Sequence, residues 1–281
     1  MSKLILVSFA DKRFRNSLKR LEEQTRDFPF DERHFLTQDN CLTKEYWRKL
    51  KPWLYRRGYG YWSWKSAIVK DFYDRLDDGD MLFWSDAGIY WNYTEKSLKH
   101  FEEYIQMLSE GNDILVFSQP TIEKNWTKGD VFEAIGAYNN MEICNSNQFL
   151  GGLFLIKKTD QTIDFINRFY ALCDLKKELV TDKHSSKPNK EGFIENRHDQ
   201  SIFSVLVKTY PHIVIPWQET QVYDGNWDLL ADFPIQARRL KEQDRPISEI
   251  MRNKLLRPWR EILHIYFKYI RRYEYLSRYT W

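Results

Sequence analysis

Asp86 closes the run Gly79-Asp80-Met81-Leu82-Phe83-Trp84-Ser85-Asp86-Ala87-Gly88, in which an apolar stretch gives way abruptly to a small, acidic turn. A carboxylate at the carboxyl end of a buried strand stands where open α/β sheets take their ligands, and a neighbouring glycine leaves room for a phosphate or a sugar. Carboxylate oxygens suit hard cations such as Mg²⁺ and Mn²⁺, which complete their shells with substrate phosphates. The plainer reading is a turn with an aspartate cap. A second carboxylate, Asp199, lies in Asn196-Arg197-His198-Asp199-Gln200-Ser201-Ile202, at the start of an apolar helical pattern. From its place alone it reads as a helix cap favoured by the dipole, flanked by His198 and Gln200. Lys65 follows the glycine and aromatic stretch Gly58-Tyr59-Gly60-Tyr61-Trp62-Ser63-Trp64, which opens a helix. Trp62 and Trp64 either stack on a sugar or fill the core. Gly151 and Gly152 interrupt the apolar run 148–156, and paired glycines inside a strand mark a bulge or a close approach.

The elements that must carry these residues alternate. Leu4 to Phe9 reads as a buried strand, followed by a helix through Phe14, Leu18 and Leu21. Phe28 to Leu36 reads as a strand weakened by Pro29, and Thr43 as the cap of a helix through Tyr46, Trp47 and Leu50. A helix along Ile68, Val69, Phe72 and Leu76 stops at Asp77-Asp78-Gly79, and Met81 to Trp84 is the strand that delivers Asp86. Then come a helix through Leu98, Phe101, Ile105 and Leu108, a strand from Ile114 to Phe117, a helix over Asp130 to Tyr138, the glycine-pair strand, and a helix from Ile163 to Leu172. Lys176 to Glu195 is polar and reads as a mobile surface loop, either a lid or a plain insertion. The Asp199 helix and a short strand from Ile213 to Pro216 complete the series, and no internal repeat is present.

A chain of 281 residues can bury a large core, and the alternation fits one α/β domain with an appendage. Aromatic residues make up 16%, a surplus that lines sugar sites or fills cores. The net charge of +3 is too small to make nucleic acid the main partner. Residues 252–281 hold eight Lys or Arg against two Glu, a net +6 that leaves the preceding residues acidic at −3. Their apolar positions, Leu255, Trp259, Ile262, Leu263, Tyr266, Ile270 and Tyr273, recur at helical spacing. That pattern suits an anionic lipid surface or packing against another domain or subunit. The boundary expected is 1–226 for the sheet domain and 227–281 for the helical extension. Three widely spaced cysteines, Cys41, Cys144 and Cys173, form no disulfide or zinc pattern and fit a reducing compartment. The opening apolar run is short for a signal peptide and no run is long enough to span a bilayer, so the expected location is cytoplasmic, either free or, through the basic tail, peripheral at the inner face of the membrane.

Taken together, the motifs Tyr61-Trp62-Ser63-Trp64-Lys65, Phe83-Trp84-Ser85-Asp86-Ala87-Gly88 and Asn196 to Ile202 resemble the GT-A glycosyltransferases, the nucleotide-diphospho-sugar transferases, and among them bacterial enzymes of lipopolysaccharide and capsular polysaccharide synthesis. The resemblance covers roughly residues 3 to 217. It implies a Rossmann-like α/β fold with a mixed, mostly parallel sheet flanked by helices. It also implies a donor such as a UDP-hexose and a saccharide or lipid-linked acceptor. The family carries an Asp-x-Asp motif that binds a divalent cation, Mn²⁺ or Mg²⁺, on the donor diphosphate; here Asp86 is the matching metal ligand and the second acid is absent. On the same basis Lys65, Ala87 and Gly88 border the donor, Ser8, Phe9 and Ala10 contact the nucleotide base, and Gly151 and Gly152 underlie the donor sugar. Asp199, His198 and Gln200 are the catalytic or positioning group, while His184 and His212 read as bystanders.

Departure of a nucleoside diphosphate develops negative charge while the anomeric carbon becomes oxocarbenium-like, so such a site needs cations at one end and carboxylates at the other. Two rivals remain at this level. A sugar nucleotidyltransferase would carry a glycine-rich basic loop after its first strand, and Ala10-Asp11-Lys12-Arg13 has no glycine. A non-catalytic carbohydrate-binding scaffold is kept open by the single carboxylate at Asp86.

Overall fold

The computed structural model describes residues 2–52, 57–174, 176–223 and 225–238. The central sheet is built from β1 (Leu4–Phe9), β2 (Glu32–Leu36), β3 (Met81–Ser85), β5 (Ile114–Ile122), β6 (Asn147–Lys157) and β7 (Ile213–Ile215). Two short strands, β4 (Tyr90–Trp91) and β8 (Ile235–Gln236), pair separately. The order is β2-β1-β3-β6-β5-β7. β1 is parallel to β2 and β3, and β5 to β7, while β6 runs against both of its neighbours.

Alternation along the strands explains the layers. Ile5, Val7, Leu82, Trp84, Val116, Phe154 and Ile156 enter one core, which is closed by helices Trp64–Tyr73, Asp160–Asp174 and Asp199–Val207. Leu4, Leu6, Met81, Phe83, Leu115, Phe117, Leu153 and Leu155 enter the other, closed by helices Arg15–Gln24 and Glu95–Glu110. A sheet buried on both faces needs strands that are apolar throughout, as β1 and β3 nearly are, while β2 at the edge carries Glu32, Arg33 and His34. Helices therefore flank both faces of a mixed, mostly parallel sheet, the α/β architecture expected from the sequence.

Thr43 caps its helix as expected, its hydroxyl accepting from Tyr46 N at 3.1 Å. Elsewhere the boundaries shift for local reasons. The strand expected from Phe28 begins at Glu32, because Pro29 has no N–H for the ladder. β5 continues past the expected end at Phe117 to Ile122, with register breaks around Ser118 that accommodate Pro120. The polar stretch after Lys176 holds a one-turn helix, Lys177–Val180, and is strapped down rather than free. The Asp130 carboxylate accepts from Ser186 N and Lys187 N at 2.9 and 2.7 Å, Gly129 N donates to Asn189 Oδ1 at 2.8 Å, and Lys190 lies 3.7 Å from the Tyr138 ring centroid.

β8 pairs with β4, so residues through 238 stay with the sheet domain, beyond the boundary expected at 226. The basic segment 252–281 and its expected membrane contact lie outside the described residues. Among the described residues no helix is long and apolar enough to cross a membrane.

Candidate active site

Because β6 is antiparallel, its glycine pair arrives beside the end of β3. Ser85 pairs with Leu153, and Asp86 N donates to Gly152 O at 2.8 Å. The next residues form a turn closed by Ile89 N donating to Asp86 O at 2.9 Å, with Ala87 buried and Gly88 half-buried within it. Arg20 clamps this turn from the first helix, Nη2 donating to Ala87 O at 2.9 Å.

Both glycines are required by close approach. A Cβ on Gly152 would lie 2.5 Å from Asp86 Oδ2, and one on Gly151 would lie 2.8 Å from the Cα of Gln200. The missing side chains let Asp86 lie over one glycine and the Asp199 helix dock on the other.

Lys65 reaches this junction from the opposite side. Its ammonium lies 2.9 Å from Asp199 Oδ2, 3.2 Å from Asp86 Oδ1, and donates to Gly151 O at 2.8 Å. The Lys65 side chain is 3% exposed and that of Asp199 6%, whereas Asp86 is 37% exposed. Burial pulls the lysine pKa down, but Asp199 and Asp86 outweigh it and hold the group above its ordinary value, firmly protonated. For Asp199, burial is the largest influence and drives the carboxyl up to about 6; Lys65 opposes this and the Asp86 charge adds to it. The expectation that Lys65 meets a donor diphosphate is revised by this burial: the ammonium is a bridge between two carboxylates, closed to solvent. Asp199, expected as a base or a positioning group, likewise faces Lys65.

Lys65 is placed by an unusual backbone. Gly58, Tyr59, Gly60, Tyr61 and Trp62 all have φ between 54 and 105°, one left-handed turn immediately before the Lys65 helix. Left-handed turns cost about 1–2 kcal/mol for each residue with a Cβ, so this one must be held by its neighbours. Trp64 Nε1 donates to Gly58 O at 3.0 Å, Ser63 Oγ to Gly60 O at 2.9 Å, and the Tyr59 hydroxyl bonds Gln38 Oε1. His198 is strained as well, with φ 57° and ψ −123°, and the two segments meet: the rings of Tyr61 and Trp62 each lie 5.2 Å from the imidazole.

His198 therefore points away from the carboxylates. Its Nδ1 lies 2.5 Å from Val180 O, and burial holds its pKa below the ordinary value. The neutral ring, donating from Nδ1, fits both facts. Gln200 lies against the glycine pair, its Oε1 accepting from Gly151 N at 3.3 Å and its Nε2 donating to Gln148 Oε1 at 2.8 Å. Ser8, Phe9 and Ala10, expected against a nucleotide base, are all buried. Phe9 packs 4.3 Å from the Trp64 ring, and Ala10 packs with Leu18 and Ala87. They form the floor under the rim instead of its surface. Trp64 is core, as one of its two readings had it.

Sequence reasoning missed Trp84 and Gln148. Trp84 Nε1 donates to Asp86 Oδ1 at 2.8 Å, and Gln148 joins Gln200 to the wholly buried Glu123, whose carboxylate also takes Thr127, Ser204 and Lys208. The available signal was position: Trp84 is two residues before Asp86 on the same strand face, and Gln148 is the polar residue that opens the glycine-pair strand.

The divalent cation implied at Asp86 finds a poor donor set. Asp86 Oδ1 already accepts from Trp84, the ammonium stands against both Asp86 and Asp199, and no trio of His, Cys, Asp or Glu able to hold a metal occurs among the described residues. The place between the two carboxylates is filled by the lysine.

A groove of about 540 Å³ opens nearby, lined among others by Asn140, Glu142, Phe149, His212, Trp217 and Gln218. Phe149 is two residues before Gly151 on β6, about 7 Å at the usual strand rise.

No protein-family model matches this chain, and no curated protein matches it. Among solved structures it is similar to a glycosyltransferase involved in the glycosylation of the major capsid of PBCV-1, with 12% identity and a TM-score of 0.45, covering 86% of this chain and 98% of that one. It is also similar to mouse xyloside xylosyltransferase 1 in its apo form, with 12% identity and a TM-score of 0.41, covering 83% and 93% respectively.

Proposed function

We propose that this chain is a glycosyltransferase that takes a sugar from a nucleotide-diphosphate donor, a UDP-hexose, and passes it to a saccharide or lipid-linked acceptor in surface polysaccharide synthesis. The observation that carries the reading is the pair of carboxylates, Asp86 and Asp199, held on one buried lysine at the carboxyl rim of a GT-A-type sheet. Sheets of this kind take ligands at that rim.

Each residue then has a task. Asp86 is the half-exposed carboxylate, able to accept from sugar hydroxyls and to stabilise the positive charge that grows on the anomeric carbon. Trp84, Lys65 and the backbone of Gly152 fix its orientation before substrate arrives, so little reorganisation is left for the transition state. Asp199 and Gln200 hold the lysine and the glycine strand in register. The acceptor side falls to the groove beside Phe149, where the rings of Trp217 and His212 and the polar groups of Asn140, Glu142 and Gln218 offer what a saccharide bonds to: flat faces and paired donors and acceptors.

The test is turnover of a panel of UDP- and GDP-sugars by wild type and Asp86→Ala. Transfer or donor hydrolysis lost in the variant supports the reading. A wild type that binds a saccharide yet turns over no nucleotide sugar is a carbohydrate-binding scaffold instead.

A further inference from the structure

The poor metal set and the buried lysine are two sides of one arrangement. Asp86 and Asp199 approach the same point from β3 and from the Asp199 helix, and each has an oxygen within 3.2 Å of Lys65 Nζ. Two carboxylates aimed at one point is how a protein holds a hard cation. Here a third element of the protein supplies the cation. The ammonium donates to Gly151 O and to Asp86 Oδ2 and pairs with Asp199 Oδ2 at 2.9 Å, and its 3% exposure shows that solvent does not compete for it. A divalent ion bound on Asp86 would face this positive charge in a partly desolvated site, where like charges repel strongly. With Trp84 Nε1 on Oδ1 as well, Asp86 has little left to offer a metal.

We infer that Lys65 is the resident cation of this site, standing where a divalent metal would otherwise join Asp86 to Asp199, and that the donor is bound with no metal held by the protein. This rests on the proposed donor reading. The consequence is a permanently assembled carboxylate pair whose geometry does not wait on ion concentration. The leaving diphosphate is then neutralised by protein or solvent groups, and Asp86 serves the sugar.

Two measurements on chelator-stripped full-length protein test this. The first is electron paramagnetic resonance of Mn²⁺ titrated into wild type and into Lys65→Ala. Wild type should leave the hexaaquo Mn²⁺ signal unattenuated, and the variant, with two carboxylates freed of their ammonium, should gain a bound population. The second is calorimetry of wild type with UDP-glucose, UDP-galactose and GDP-mannose, in excess chelator and in Mn²⁺. The donor that binds should do so with affinities agreeing within about twofold in the two buffers. If Lys65→Ala does not fold, the wild-type titrations decide the matter alone. Tight Mn²⁺ binding by wild type, or donor binding seen only with Mn²⁺, overturns the inference and leaves the glycosyltransferase reading standing. Absence of heat with every nucleotide sugar in both buffers overturns the proposed function and this inference with it.

Discussion

The indole of Trp84, near the end of β3, fastens the carboxylate of Asp86 just beyond it. Trp84 is fully buried, its Nε1 donates to Asp86 Oδ1 at 2.8 Å, and the two residues lie two apart, on one face of the sheet. The residue of the site most open to solvent is thereby tied to one of the largest side chains of the core, which stacks in turn on Phe154 with 6.4 Å between ring centroids. Asp86 cannot swing without losing this hydrogen bond.

Trp84→Phe isolates that bond, since the ring still fills the core while the donor is gone. A hydrogen bond to a charged group contributes about 1.5–3 kcal/mol, and the partial exposure of Asp86 places this one at the low end. Donor affinity should fall roughly tenfold by calorimetry. The thermal midpoint should drop only a few degrees, with the circular dichroism spectrum otherwise unchanged.

Gly152→Ala attacks the same carboxylate from the other side. The new Cβ would stand 2.5 Å from Asp86 Oδ2, so Asp86 must turn away or β6 must move. The carboxylate is the softer of the two, so stability should fall by about 1–2 kcal/mol, within the range for overpacking, while transfer drops by more than tenfold. Gly151→Ala meets the Cα of Gln200 at 2.8 Å, which is backbone, and there urea denaturation should show the larger loss of stability.

Lys65→Met leaves two carboxylates facing one another with no counter-charge. Removing one partner of a buried ion pair costs about 3–5 kcal/mol, and two partners are left behind here. Lys65→Met/Asp199→Asn should recover part of that loss, because one of the stranded charges is gone. A double variant no more stable than the single one in chemical denaturation would show that Asp199 and Lys65 do not act as a pair.

Much of this arrangement was legible in the chain. The apolar strands, their alternation with helices and the abrupt turn after Trp84 marked both the sheet and its rim, because burial on both faces leaves a continuous apolar run. Asp86 and Asp199 could be named from their positions at element ends, the glycine pair from its place inside a strand, and Lys65 from the family resemblance. What they do to one another could not, because the contact spans elements 21 and 134 residues from Lys65 and depends on β6 reversing direction. The direction of His198 was hidden for a different reason: its positive φ is imposed by tertiary packing against Tyr61 and Trp62. The polar loop after Lys176 looked free because its tethers, Asp130 and Asn189 among them, are individually ordinary surface residues.

Trp217→Ala tests the groove. With its aromatic face removed, acceptor KM should rise about tenfold, in line with the 1–3 kcal/mol that a stacked or apolar contact contributes, while hydrolysis of the donor in the absence of acceptor stays unchanged. An equal loss in both reactions would move Trp217 from the acceptor to the structure of the domain.

The pH dependence follows from Asp199. Its carboxyl is raised from 3.8 to about 6, chiefly by burial, and the ionised form is the one that holds Lys65. A raised acid pKa means that the folded domain favours the protonated form: the stabilisation from this group is fully present below the unfolded value near 3.8 and is lost as pH rises through about 6. Function runs the opposite way. Donor affinity should climb as pH rises through about 6, because only then is the ammonium gripped from both sides. Asp86→Asn removes the neighbouring negative charge and eases ionisation, so the limb should move to lower pH in that variant. Fluorescence titration of a donor analogue from pH 4.5 to 8 reads the wild-type limb, and chemical denaturation over the same range reads the Asp199 titration in wild type and Asp86→Asn without relying on donor binding. A limb that stays in place when Asp86 is neutralised would assign the titration to another group.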